Sequence, residues 1–108
     1  MLLADAEHVP VSFSGDMTIS NIEAAYADLG AVLRQDGSVV MDLSEVTETD
    51  LTFVQLIESA RRKAAETGRD FVLRHPADGA VLEVLRRGGF LDDDTSDRAK
   101  FWLQGAAQ

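Results

Sequence analysis

The chain contains no cysteine. That absence excludes disulfides, thiolate metal ligands and thiol nucleophiles. Bases are scarce as well: 10 Lys and Arg stand against 19 Asp and Glu in 108 residues, a net charge of −9 at pH 7. A balance this acidic repels nucleic acid and anionic membrane surfaces unless a local basic patch intervenes. Arg61-Arg62-Lys63 is the densest basic run, but it has no interleaved aromatics, so no nucleic-acid partner is expected. No apolar run approaches the ~20 residues needed to cross a bilayer. Met1 to Pro10 lacks the basic start and long apolar stretch of a secretory leader. These absences predict a cytoplasmic protein with no direct membrane insertion.

What is present suits one small domain spanning residues 1–108. Hydrophobic residues make up 45% of the chain, enough for a core without help from metal or disulfides. No internal repeat or low-complexity linker divides it. The charge is unevenly spread: residues 1–60 carry eleven acids and one base, Arg34, whereas residues 61–108 carry eight acids and nine bases.

Local patterns set out the elements. From His8 to Ser14, Val9, Val11 and Phe13 alternate with polar residues, as in a half-buried strand. Gly15-Asp16 reads as a turn and Met17 to Ile19 as a short second strand. Ser20 and Glu23 have capping-box spacing. They precede Ile22, Ala25, Tyr26, Leu29 and Leu33 at helical intervals, and Asp36-Gly37 closes that helix. Ser38 to Leu43 is a continuous apolar run ending on an acid, as in a central strand covered on both faces. Ser44 to Thr49 reads as a loop exposing Glu45 and Glu48.

Asp50 is a good helix N-cap, followed by the stripe Phe53, Leu56, Ile57, Ala60 and Ala64, with Gly68 as the stop. Phe71 to Arg74 is a further strand. Pro76 and Asp78 open a short helix with Val81, Leu82 and Leu85 inward, ended by Gly88-Gly89. An acidic break over 92–97 then precedes an apolar segment, 99–103. Lys100-Phe101-Trp102-Leu103 fits a strand, a docked helical turn or an exposed segment; docking suits its aromatic pair best. Strands alternating with helices imply right-handed crossovers and a mixed, largely parallel sheet.

Catalytic chemistry is poorly supplied. His8 and His75 sit at strand edges outside any motif. Asp42, Glu45, Glu48 and Asp50 put four carboxylates within nine residues, but their spacing does not match a calcium loop. An acidic surface loop beside a helix cap is the simpler reading. Gly88-Gly89 follows a helix instead of preceding one, the wrong order for cradling phosphate. No enzyme activity, metal or cofactor is expected. The most informative stretch is Val39 to Ile57: buried strand, acidic segment, helix start. Thr52 is the only hydroxyl in the first turn after Asp50. A phosphate there would be partly stabilised by the helix N-terminus.

The same stretch carries a resemblance. Phe13 to Ile19 looks like the opening strand and turn of the STAS domains, named for sulfate transporters and anti-sigma-factor antagonists. Val40-Met41-Asp42-Leu43-Ser44-Glu45-Val46 looks like their central strand. Asp50 falls on the aspartate that starts their switch helix, and Gln55-Leu56 fits a pattern common there. Phe71 to Leu73 and the segment up to Gly89-Phe90-Leu91 match the last strand and helix. The likeness covers about residues 9–91.

It implies a small mixed, largely parallel sheet of about four strands with helices packed mainly on one side. It also implies a bacterial module that works by docking: to a serine kinase (anti-sigma factor), to a chemotaxis kinase assembly, or to the ATPase of a lipid ABC transporter. The docking residues it implies are Asp42, Glu45, Glu48, Asp50, Leu51 and Thr52. In the sigma-factor circuits the kinase phosphorylates a serine directly after the helix-starting aspartate. Leu51 stands there in this chain, and Phe53 stands where a small residue is usual. The departure implies either an unswitched binding module or a phosphorylation site moved to Thr52. The first fits better, because Thr52 points about 100° around the helix from residue 51.

Overall fold

The computed structural model describes residues 8–93 and 96–104. The reading of Met1 to Glu7 as leaderless, and Asp94 and Thr95 of the acidic break, lie outside them. Three strands form one sheet in the order β1 (His8–Met17), β2 (Ser38–Thr49), β3 (Phe71–Leu73). Both pairings are parallel, with Val9 beside Val39 and Val39 beside Phe71. Four helices follow the strands: α1 (Ile22–Leu33), α2 (Leu51–Glu66), α3 (Gly79–Arg87) and α4 (Asp97–Gln104).

The two-residue period decides which face of the sheet is covered. Val9, Phe13, Val39, Met41, Phe71 and Leu73 are buried on one face. They join a single core with Leu29 and Val32 of α1, Phe53, Val54 and Ile57 of α2, Leu85 of α3 and Trp102 of α4. The helices therefore pack mainly on that side. Pro10, Ser12 and Ser14 of β1 are exposed. Pro10 is tolerated because β1 is an edge strand, where a missing N–H need not break a ladder.

Four local expectations are corrected. Met17 to Ile19 is not a separate strand, so the sheet has three strands, not four: Met17 is the last residue of β1, and Ile19–Asn21 is a 3-10 turn. Ser44 to Thr49 is not a loop. Two register shifts along β1 let β2 continue in parallel pairing to Thr49, so the backbone groups there are satisfied by a ladder. Ser20 does not cap α1. The helix starts from Asn21, which makes no side-chain cap bond. The 3-10 turn has already rotated Ser20 out of the capping position. Tyr26, placed inward by its spacing, is 70% exposed. It borders an open groove of about 440 Å³ between α1 and α2.

The C-terminal segment is a helix docked on the core. Ser96 Oγ accepts the Ala99 N–H at 3.1 Å and starts it. Trp102 is fully buried, and its Nε1 donates to Glu58 Oε2 at 2.7 Å. Its carbonyl accepts the Ala77 N–H at 2.8 Å.

Arg69, ahead of β3, anchors the other end of the sheet. Its guanidinium donates to the carbonyls of Gly37, Leu33 and Val32 at 2.9, 2.7 and 3.0 Å. These are carbonyls at the C-terminus of α1 and in the turn after it. The end of an α-helix leaves such carbonyls without helical partners, and a cation is favourable there. Arg69→Ala is expected to cost about 2–3 kcal/mol of stability in urea unfolding. Arg69→Lys should recover less than half of that, because an ammonium cannot span three acceptors as a planar fork does.

Candidate docking face

Past β3, the sheet narrows to two strands. β3 pairs only with Val39 to Met41, whereas β1 and β2 stay paired as far as Met17 and Thr49. The ribbon end carries Asp16 on one strand and Glu45 and Glu48 on the other, all exposed. Thr49 Oγ1 donates to the Met17 carbonyl at 2.9 Å and closes the ribbon.

Asp50 turns this ribbon into α2. Its backbone is extended, and Oδ1 accepts the Phe53 N–H at 3.2 Å, the cap that its position predicts. The second oxygen has an unforeseen partner: Oδ2 accepts the Ile19 N–H at 2.9 Å. One carboxylate thus joins the helix start to the turn that follows β1. Nearby, Thr18 Oγ1 donates to Asp16 Oδ1, and Asn21 Nδ2 to the Asp16 carbonyl, each at 2.7 Å. Beneath, Phe53 is fully buried edge-on to Phe13, with ring centroids 5.4 Å apart. A large residue after Thr52 is accommodated here because it serves the core.

The result is an acidic rim with two apolar residues on it. Leu51, first in α2, is 42% exposed, and Ile19 is 64% exposed. Thr52 is half-buried. Of the six residues named from the sequence, Glu48, Asp50, Leu51 and Thr52 come together at this edge, with Glu45 further back along the ribbon. Asp42 does not join them. It lies eight residues before Asp50 on β2, on the order of 20 Å of strand away. Ile19 was missed because one apolar residue between Thr18 and Ser20 has no periodicity to reveal it; it enters through a bond 31 residues away in sequence.

Asp42 has its own setting. Oδ1 accepts the Ser44 hydroxyl at 2.7 Å and the Ser44 N–H at 2.9 Å, and Oδ2 lies 3.9 Å from Arg74 Nε. The Ser44 hydroxyl and then its N–H hold the carboxyl below its ordinary value. The charges of His75 and Arg74 add to this, and partial desolvation opposes it. Ser44 engages one oxygen and Arg74 stands near the other, so Asp42 is tied to its own strand, apart from Asp50. Among the described residues, no three acids or histidines are grouped to hold a metal ion, and no helix is long and apolar enough to cross a membrane.

A carboxyl with a depressed folded-state value stabilises the fold above its unfolded value, and that contribution disappears as pH falls through the folded one. Ser44→Ala is therefore expected to reduce stability at pH 7. The gap from the parent protein should close as pH drops below about 4. Urea midpoints at a series of pH values measure it; a gap that stays constant down to pH 2 would refute the assignment.

These features carry the fold that the sequence resemblance implied. A family model described as "Mlab, STAS domain" matches residues 2–93, which takes in β1 through α3 and stops before α4. A search of curated proteins finds no match. With the match running from the first strand through the ribbon, the Asp50 cap and the helices behind it, the chain belongs to the STAS domain family.

Proposed function

We propose that this STAS domain is a non-catalytic docking module that binds a protein partner through the edge built by Ile19, Glu48, Asp50, Leu51 and Thr52. The observation that carries the reading is the pair Ile19 and Leu51, exposed on either side of Asp50. Apolar anchors within a charged rim are what a protein interface uses: the anchors supply affinity, and the rim supplies orientation and on-rate. The edge presents no nucleophile beside a base. Asp50 has both oxygens committed to backbone N–H groups, which suits a structural anchor more than a proton carrier.

The partner classes follow from the family. A serine kinase of the anti-sigma-factor type or a chemotaxis kinase assembly would make the chain a signalling module. In either case Leu51, at the usual acceptor position, leaves the edge without the ordinary phosphate switch, and Thr52 is half-buried and turned away from that position. Leu51 also favours a second reading: an accessory subunit on the ATPase of a lipid ABC transporter. A subunit that stays bound needs no switch for release.

The test measures affinity for candidate partners of each class with the parent chain and two variants. Leu51→Arg is expected to weaken binding at least tenfold, the loss typical of a central anchor. Thr52→Glu should stay within about threefold of the parent if the edge is unswitched; a loss equal to that of Leu51→Arg would restore a phosphate switch at Thr52. Because the rim is acidic, raising salt from 0.05 to 0.5 M should weaken binding to a basic partner. Full binding by Leu51→Arg would sink the docking edge itself.

A further inference from the structure

Ten residues beyond Leu51, about 15 Å along α2, three cations of this acidic chain line one hollow. Arg61 reaches it from α2, Arg69 from the turn before β3, and Lys100 from α4. Phe71 and Phe101 provide aromatic walls, Asp70 is the one acid, and the volume is about 290 Å³. That is the size of a small-molecule site, not of a macromolecular groove.

Arg61 is held in place on two sides. Nη2 donates to Glu58 Oε1 at 2.7 Å, and the guanidinium carbon lies 5.3 Å from the Phe101 ring centroid. Its Nε is enclosed by protein, so the Nη groups, one of whose N–H bonds goes to Glu58, are the donors that a ligand can meet. Glu58 has already committed Oε1 to Arg61 and Oε2 to Trp102. Arg69 gives three of its five N–H donors to the end of α1 and adds its charge to the hollow. Lys100 is exposed, forms no ion pair among the described residues, and carries three donors. Around the hollow, Arg61, Arg69 and Lys100 outweigh Glu58 and Asp70, so the local field is positive in a chain of net charge −9.

We propose that this hollow binds a small oxyanion, a phosphate or carboxylate group. The remaining Nη donors of Arg61 and the Lys100 ammonium hold it, with Phe71 and Phe101 against the apolar body of the ligand. The guanidinium is oriented before the ligand arrives, which lowers the ordering cost of binding. The site is separate from the docking edge, and either can stand without the other.

Trp102, the sole tryptophan, is a built-in reporter, since its indole N–H is bound to the same carboxylate as Arg61. The full chain is titrated with inorganic phosphate, phenyl phosphate and benzoate at constant ionic strength set with sodium chloride, following Trp102 emission and binding heat. Saturable binding is expected, with phenyl phosphate about tenfold tighter than inorganic phosphate, because its ring removes apolar surface from water. Saturation by benzoate as well assigns the site to oxyanions in general; saturation by the two phosphates alone assigns it to phosphate.

Arg61→Lys keeps the charge but loses the planar fork that serves Glu58 and the ligand together, and should weaken binding about tenfold. Lys100→Ala, at an exposed position, should weaken it about threefold. Circular dichroism establishes that each variant is folded. Should Arg61→Lys fail to fold, Lys100→Ala carries the test alone. No saturation by any of the three probes, or parent-like affinity in the folded variants, overturns the site.

Discussion

Asp50 links β2 to α2, and the edge where the ribbon meets the helix depends on how its two oxygens are shared. One caps α2 through the Phe53 N–H, and the other holds the Ile19 N–H in the turn after β1. Negative charge at a helix N-terminus is favourable in itself. Here the same charge also fixes the exits of both ribbon strands against the helix start. The Thr49 hydroxyl on the Met17 carbonyl and the Phe13–Phe53 ring contact reinforce that junction from the ribbon and from the core. Ile19 and Leu51 are consequently displayed on a rigid frame. Side chains already positioned give up less freedom when a partner arrives.

Two further polar residues secure the helices behind that edge. Arg69 ties the entry of β3 to the end of α1. Glu58 is the only charged side chain buried among the described residues, and it joins α2 to α4 through Trp102. A carboxylate is tolerated in a core only when both oxygens are matched. Trp102 and Arg61 do that, so the last helix is bound in by polar complementarity as well as by packing. α4 lies beyond the family match, which ends at residue 93. The Glu58–Trp102 contact joins the matched region to a helix outside it.

α2 thereby serves two regions of opposite character. Its first turn belongs to an acidic edge with apolar anchors; its later turns carry Arg61, whose charge faces Glu58 and the hollow. The charge asymmetry between the two halves of the sequence becomes a spatial one. Helices that start above the carboxyl ends of the strands and run back along the sheet bring Lys63, Arg86 and Arg87 into their last turns, where cations complement the helix dipole.

Periodicity and caps determined much of this from the sequence alone: the strand cores Val9 to Phe13, Val39 to Met41 and Phe71 to Leu73, the Asp50 cap, and the glycine stop at Gly68, whose φ is +75°. Each is a local property of residues within a few positions of one another. The family followed from the order of those same features. Tertiary structure decided what depends on distant partners. Ser44 to Thr49 is strand because β1 shifts register to pair with it. Tyr26 is exposed because it stands at the open groove between α1 and α2 and not in their packed contact. Ile19 stands beside Asp50, and Asp42 lies apart from it, through contacts no spacing announces. The Arg61 hollow exists only because residues 58, 69 and 100 fold against one another, and long-range pairing of this kind depends on packing geometry, not on local pattern.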